Sequence, residues 1–369
     1  MVVISWRLFA AMNMISDNLA APATDLRARW AQLLEQQPSL RIRSAAQVLG
    51  VSELELLVLG LGSRVTRLRP EFADILGEVV NLGHVMALTR NDDVVHERKG
   101  TYLNPSLTQG HVGLFVGEDI DLRIFWGSWA HAFAVNEESH GGTRQSLQFF
   151  AHDGEAIHKI YLTEKSNCTG FGTLVNRFRS EDQSAVVSLQ PRKAAHAEMP
   201  DAAVDVSGLR AAWLGLKDTH DFYMLLGRFR VSRTQALRLA PEGGYAVPVA
   251  TTALREVLTK AAQRTLPIMV FVGNPGMIQI HTGTIMNVVD ARGWFNVLDP
   301  EFNLHVREEA ITQSWIVRKP TVDGLVTALE CYNAKGEQLV QLFGKRKPGI
   351  PELEEWRTLV SEVENASRS

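Results

Sequence analysis

The sequence predicts an α+β fold built as a tandem duplication, each repeat a few helices followed by a large, mainly antiparallel sheet. The chain aligns with itself over most of its length, and apolar residues open each copy at helical spacing. Short β-branched or aromatic runs broken by Gly, Asp and Asn fill the rest. Successive short strands with no helices between them imply antiparallel pairing rather than βαβ units.

Taken in order, Leu26, Trp30, Leu33 and Leu34 mark a first helix, and Pro70 opens another through Phe72, Ile75 and Val79. Strands are expected at 85–89, 112–116, 122–125, 146–150 and 157–162. The second copy repeats this plan. Trp30 falls on Trp213 (213 − 30 = 183), and Met86 to Asn91 fall on Met269 to Asn274 at the same offset. Asp121-Leu122-Arg123-Ile124 then falls on Asn303-Leu304-His305-Val306 (305 − 123 = 182), and Leu147 to Glu155 fall on Leu329 to Glu337, with tight turns at Asp153-Gly154 and Lys335-Gly336. The expected division is an extension at 1–19, a first repeat at 20–182, a linker at 183–206 and a second repeat at 207–369.

With 369 residues, 45% hydrophobic and 21% charged, the composition is that of two or three globular cores and excludes disordered, collagenous and disulfide scaffolds. Against 41 Asp and Glu stand 38 Lys and Arg, a net charge of −3, so no overall field attracts nucleic acid or an anionic membrane. Cys168 and Cys331 are too far apart in sequence for a CxxC pair, which fits a reducing compartment. The apolar patch at 8–11 is shorter than the core of a secretion signal, and no apolar run is long enough to span a membrane. A cytoplasmic protein is expected, with Met12 and Met14 as alternative starts to Met1.

Where the copies differ, the second has gained a nitrogen donor and positive charge. His220 falls on Gln37, Arg233 close to Glu53, Lys319 on Glu137 and Arg346 on Glu164. That pattern suits an anionic ligand beside a metal or proton-accepting centre. Each residue also has a plainer reading: His220 as a helix cap or core polar group, Lys319 and Arg346 as solvated loop charges. Arg123 and Phe125 share one face of a strand in the first copy, a cation beside an aromatic.

Other motifs are read as structural. His152 and His158 flank an Asp-Gly turn, which is expected to be a turn rather than a metal site. Gly273-Asn274-Pro275-Gly276 turns between strands with no helix behind it to hold a phosphate. The segment 44–55 resembles a helix-turn-helix, but Glu53 and Glu55 on its second helix would repel DNA. A ligand-responsive DNA-binding regulator is therefore the alternative and not the leading reading.

Across roughly 24–365 the chain resembles the bacterial cytoplasmic haem-utilisation proteins of the HemS/ChuS/PhuS type. The resemblance is carried by Ala87-Leu88-Thr89-Arg90-Asn91 with Val95-His96-Glu97, Asp121 to Phe125, Gln145 to Phe150, Asp218-Thr219-His220-Asp221-Phe222, Ile268 to Asn274, Phe295 to Pro300, Asn303-Leu304-His305 and Arg318-Lys319-Pro320. It implies ferric, b-type haem as ligand, His220 as its proximal iron ligand and Arg123 as the distal polar residue, catalytic if haem is degraded. It implies further that Arg233, Lys319 and Arg346 meet the propionates or ordered contacts near them, while Phe125, Phe271 and Gln341 line the pocket. Members often carry Tyr where this chain has Phe343, so a phenolic contact is expected to be missing. The implied partners are an inner-membrane haem ABC transporter and, for a pure carrier, a downstream haem oxygenase; family members include both carriers and haem-degrading enzymes.

Overall fold

The computed structural model describes residues 23–367 apart from 108–109, 140–141, 193–196 and 348; the expected extension at 1–19 with its alternative starts lies outside the described residues. The helices expected from the apolar spacing form at Ala23–Gln36 and Phe72–Val79, and each expected strand lies within or coincides with an observed one. Two nine-stranded antiparallel sheets dominate.

The first sheet runs, in spatial order, Val65–Leu68, Trp129–Ser139, Gly142–Ala151, Ala156–Ser166, Gly83–Arg90, Val94–Thr101, and then three strands of the second repeat, Phe302–Val306, Trp294–Leu298 and Val288–Ala291. The second sheet mirrors it: Ala246–Val249, Gln313–Thr321, Gly324–Tyr332, Gln338–Gly344, Ile268–Asn274, Met277–Gly283, then Asp121–Phe125, Val112–Val116 and Pro105–Ser106 of the first repeat. The repeats thus exchange three strands. Arg123 pairs directly with Ile278, and His305 with Val95.

The exchange is locked at the centre by equivalent residues. Asn91 donates Nδ2 to the carbonyls of Gly273 (3.3 Å) and Leu339 (2.8 Å). Its repeat mate Asn274 donates Nδ2 to those of Arg90 (3.0 Å) and Ile157 (2.8 Å). These bonds give acceptor carbonyls near the hairpin ends (Arg90, Gly273) and at the strand bulges (Ile157, Leu339) a side-chain donor from the other half. The four-residue turn that looked like a failed phosphate loop is therefore a joint between the halves.

One face of the second sheet packs Val270, Val272, Leu329 and Leu342 against helices Ala253–Gln263 and Glu354–Ala366. Its other face meets three short helices, Val206–Leu214, Asp221–Phe229 and Arg233–Arg238, but only at the Gln313–Thr321 side, through Val317, Tyr332 and Trp315. Trp213 is fully buried there, stands edge-on to Phe222 at 4.6 Å and donates Nε1 to the Arg318 carbonyl at 3.0 Å. Such an aromatic pair adds roughly 0.5–1.5 kcal/mol to the burial itself. The remainder of that face is left partly open.

The helix-turn-helix-like segment does form two helices, Ile42–Leu49 and Glu53–Val58, joined through Gly50 in the left-handed region and a Ser52/Glu55 capping box. The second helix is buried along its length, with Glu53 only 2% exposed, so it has no face to offer a DNA groove. The His152 to His158 turn likewise places His152 at the surface and His158 in the interior, and no cluster of three metal-ligating side chains occurs among the described residues. Among those residues no helix is long and apolar enough to cross a membrane.

Candidate functional site

Residues directly opposed on neighbouring strands point to the same face of a sheet. Across the second sheet one such row reads Trp315, Glu330, Gln341, Phe271, Ile280, Asp121. Two positions along each strand lie residues of the same face: Phe343 beside Gln341, Met269 beside Phe271, Arg123 beside Asp121, and next Phe125. Lys319 joins them from the strand of Trp315. Strand exchange is what brings Arg123 and Phe125 of the first repeat onto the face that carries Phe271, Lys319 and Gln341 of the second.

Phe271 and Phe343 pack edge to face at 5.1 Å, with Val326, Ala328 and Met269 around them, a small apolar floor separate from the main cores. Arg123 is half-buried, ion-pairs with Asp121 and donates Nη1 to the Leu122 carbonyl at 3.1 Å. Desolvation pushes the Asp121 carboxyl up, opposed by Arg123.

His220 lies at the N-terminus of helix Asp221–Phe229, which packs at the Gln313–Thr321 side of the sheet with its Phe222 and Leu225 facing inward. It occupies the N-cap position but its side chain makes no cap bond. Instead Asp218 folds back as an Asx turn: its Oδ1 accepts from the His220 backbone N–H at 2.8 Å and lies 2.6 Å from Nδ1 of the ring. The backbone N–H, and then the ring, hold the Asp218 carboxyl below its ordinary range against some desolvation. The imidazole side chain is 85% exposed, so Nε2 is accessible while Nδ1 is tied to a carboxylate, the arrangement that orients a metal-ligating histidine.

On the same face of the sheet, strand Gly324–Tyr332 carries a group that sequence reasoning missed. Glu330 is wholly buried, and its carboxylate accepts from Arg233 twice (Nε 2.8 Å, Nη2 2.7 Å), from Lys319 Nζ (3.0 Å), from Gln341 Nε2 (2.6 Å) and from the Tyr332 hydroxyl. Phe222 roofs the cluster, 4.4 Å from the Lys319 ammonium and 5.2 Å from the Arg233 guanidinium. Burial works to raise the Glu330 carboxyl, but Arg233 and Lys319 outweigh it and hold it well below the usual carboxylate range. Burial lowers Lys319 to about 8 despite Glu330, with Arg233 adding to the fall. Lys319 is 3% exposed, which corrects its reading as a solvated strand-end charge. Arg346 lies apart from the cluster, its Nη2 3.5 Å from Asp323 and its Nε buried without a partner.

The same positions in the first half carry the opposite polarity. Ser52 and Ser232 cap equivalent helices (232 − 52 = 180), so Glu53 is the counterpart of Arg233 and reaches Lys159, the counterpart of Gln341. This local offset is three residues shorter than elsewhere, which places His220 opposite Leu40 and corrects its match to Gln37.

The family model described as the haemin-degrading HemS.ChuX domain matches the chain twice, at residues 50–178 and 230–363. A hemin transport protein, HmuS, of Yersinia pestis is 38% identical over 338 residues, covering 91% of this chain and 96% of that protein. The crystal structure of holo-PhuS, a heme-binding protein from Pseudomonas aeruginosa, superposes with a TM-score of 0.90 at 46% identity, covering 93% of this chain and 99% of that one. The Escherichia coli O157:H7 heme degrading enzyme ChuS gives a TM-score of 0.87 at 34% identity over 93% and 99% of the two chains.

Proposed function

The chain belongs to the haemin-degrading HemS/ChuX-domain family, and from that premise we propose that it binds haem on the open face of the second sheet for bacterial iron acquisition. The observation that carries this reading is His220, with Nε2 open to solvent and Nδ1 fixed by Asp218, at the start of the helix whose Phe222 covers a buried cation cluster. The donor set fits: imidazole for ferric b-type iron, Phe271, Phe343 and Phe125 for the ring, Arg233, Lys319 and Arg346 for the propionate end, Gln341 between them. Bound there, haem supplies a redox-active iron and an oxidisable ring. Arg123 supplies the distal hydrogen-bond donor, kept half-buried and aimed by Asp121.

Titration with ferric haem tests this reading. The wild-type chain is expected to give a saturable Soret band that His220→Ala weakens or shifts; an unchanged spectrum and affinity would remove His220 from the iron.

In this reading the protein works in the cytoplasm, receives haem from an inner-membrane ABC transporter, and either hands it to a haem oxygenase or degrades it with an external reductant. Release of iron and a bilin from the complex under reductant and oxygen, suppressed by Arg123→Ala, supports degradation. Intact haem after the same treatment supports carriage.

A further inference from the structure

Lys319 and Arg233 bring two positive charges to a buried cluster in which Glu330 supplies one negative charge. Among the described residues no other carboxylate lies within 4.0 Å of either cation. Arg233 Nη1 and two of the three ammonium hydrogens of Lys319 have no acceptor there either. In the first half, by contrast, Lys159 has Glu53, and Arg43 has Asp92 and Glu155. One uncompensated positive charge therefore remains at the site and has no counterpart across the pseudo-twofold axis.

We infer that Glu330 is a positioning and selectivity residue that sets the charge of this end of the site, so that Arg233 and Lys319 together take one carboxylate of the ligand. The inference rests on the haem reading. Glu330 holds both cations at fixed places by three hydrogen bonds, is itself fixed by two more from Gln341 and Tyr332, and neutralises one cation, leaving the other to be neutralised from outside. An isolated charge in a dry site is costly, and a ligand carboxylate that pairs with it gains a charge-assisted bond. Without Glu330 the two cations would face each other unshielded, and the site would demand more anionic charge from its ligand. Without Lys319 the cluster would be neutral and indifferent to it.

The test compares ferric haem with its dimethyl ester, which keeps iron and ring but lacks both carboxylates, on the full chain carrying wild-type sequence, Glu330→Gln or Lys319→Gln. The wild type is expected to prefer the free acid by about tenfold or more, one charge-assisted pair. Glu330→Gln widens that preference by a further tenfold or so, and Lys319→Gln narrows it towards unity. A ratio identical in all three proteins makes Glu330 a structural residue only and overturns the inference. Should Glu330→Gln fail to fold, an unchanged ratio in Lys319→Gln overturns it alone. A wild type that takes up neither form with a Soret change overturns the haem reading itself, whereas equal binding of both forms overturns the charge argument and leaves that reading standing.

Discussion

Gln279 donates its Nε2 to Nδ1 of His96 at 2.8 Å, and the two residues occupy the same position in the two repeats (279 − 96 = 183). The bond belongs to a buried chain with one consistent direction. The Tyr102 hydroxyl donates to His158 Nε2 (2.6 Å), His158 Nδ1 lies 2.8 Å from Thr89 Oγ1, and Thr89 donates to Gln279 Oε1 (2.8 Å). Each histidine in the chain is neutral and accepts one bond.

Gln279→Leu interrupts this chain in the middle. It removes the donor to His96 Nδ1 and to the Ala87 carbonyl (2.9 Å) and leaves the Thr89 hydroxyl only Met277 Sδ (3.3 Å) to donate to. A loss of about 2–4 kcal/mol in unfolding free energy is expected from urea denaturation.

Acid should loosen the same region. Burial lowers His158 and His281 to about 3, and His96 well below its ordinary value with His281 and Arg98 contributing. Because the unfolded chain binds these protons near pH 6.5 and the folded chain does not, these histidines leave stability unaffected above that pH and reduce it as the pH drops from 6.5 towards 3. The slope approaches about 1.4 kcal/mol per pH unit for each histidine. Denaturation midpoints between pH 7 and 4 should show it, and His158→Gln should flatten it; a flat profile in the wild type would refute this.

Glu53→Gln leaves Lys159 and Arg43 facing a neutral amide in the interior of the first half. Breaking a buried pair this way costs about 3–5 kcal/mol. The melting temperature should fall while haem affinity at saturating folded fraction stays as in the wild type, since the proposed site lies on the other sheet.

Asp218→Asn keeps an acceptor for the His220 backbone N–H but removes the carboxylate from the ring. Haem affinity should drop about tenfold to a hundredfold with little change in melting temperature. Equal affinity in the two proteins would show that the ring needs no anionic partner.

Much of the fold was legible in the residues because it is local. Leu26, Trp30, Leu33 and Leu34 show a helical period and 146–150 a strand composition whatever surrounds them, and Asn91 aligns with Asn274 in the sequence repeat alone. The exchange of strands was not legible. Leu122 and Ile124 bury one face of 121–125 equally well in either sheet, so the pattern does not say which half the strand joins. Glu330 was hidden for a similar reason: a glutamate in an alternating strand reads as solvent-facing, and only the approach of Arg233, 97 positions away, makes its burial tolerable. Lys319 shares that concealment.

The strand exchange also bears on ancestry. A lone copy of the repeat would carry three strands with no sheet of its own to complete and a sheet ending at an unpaired strand of the Met277–Gly283 kind. Two copies of one chain could satisfy both needs by lending strands to each other, which makes a swapped homodimer the natural forerunner of this protein. Fusion of the two genes would then free the halves from identity: one could drift to a closed ion pair while the other kept a vacancy for a guest, an asymmetry that a symmetric dimer could not encode.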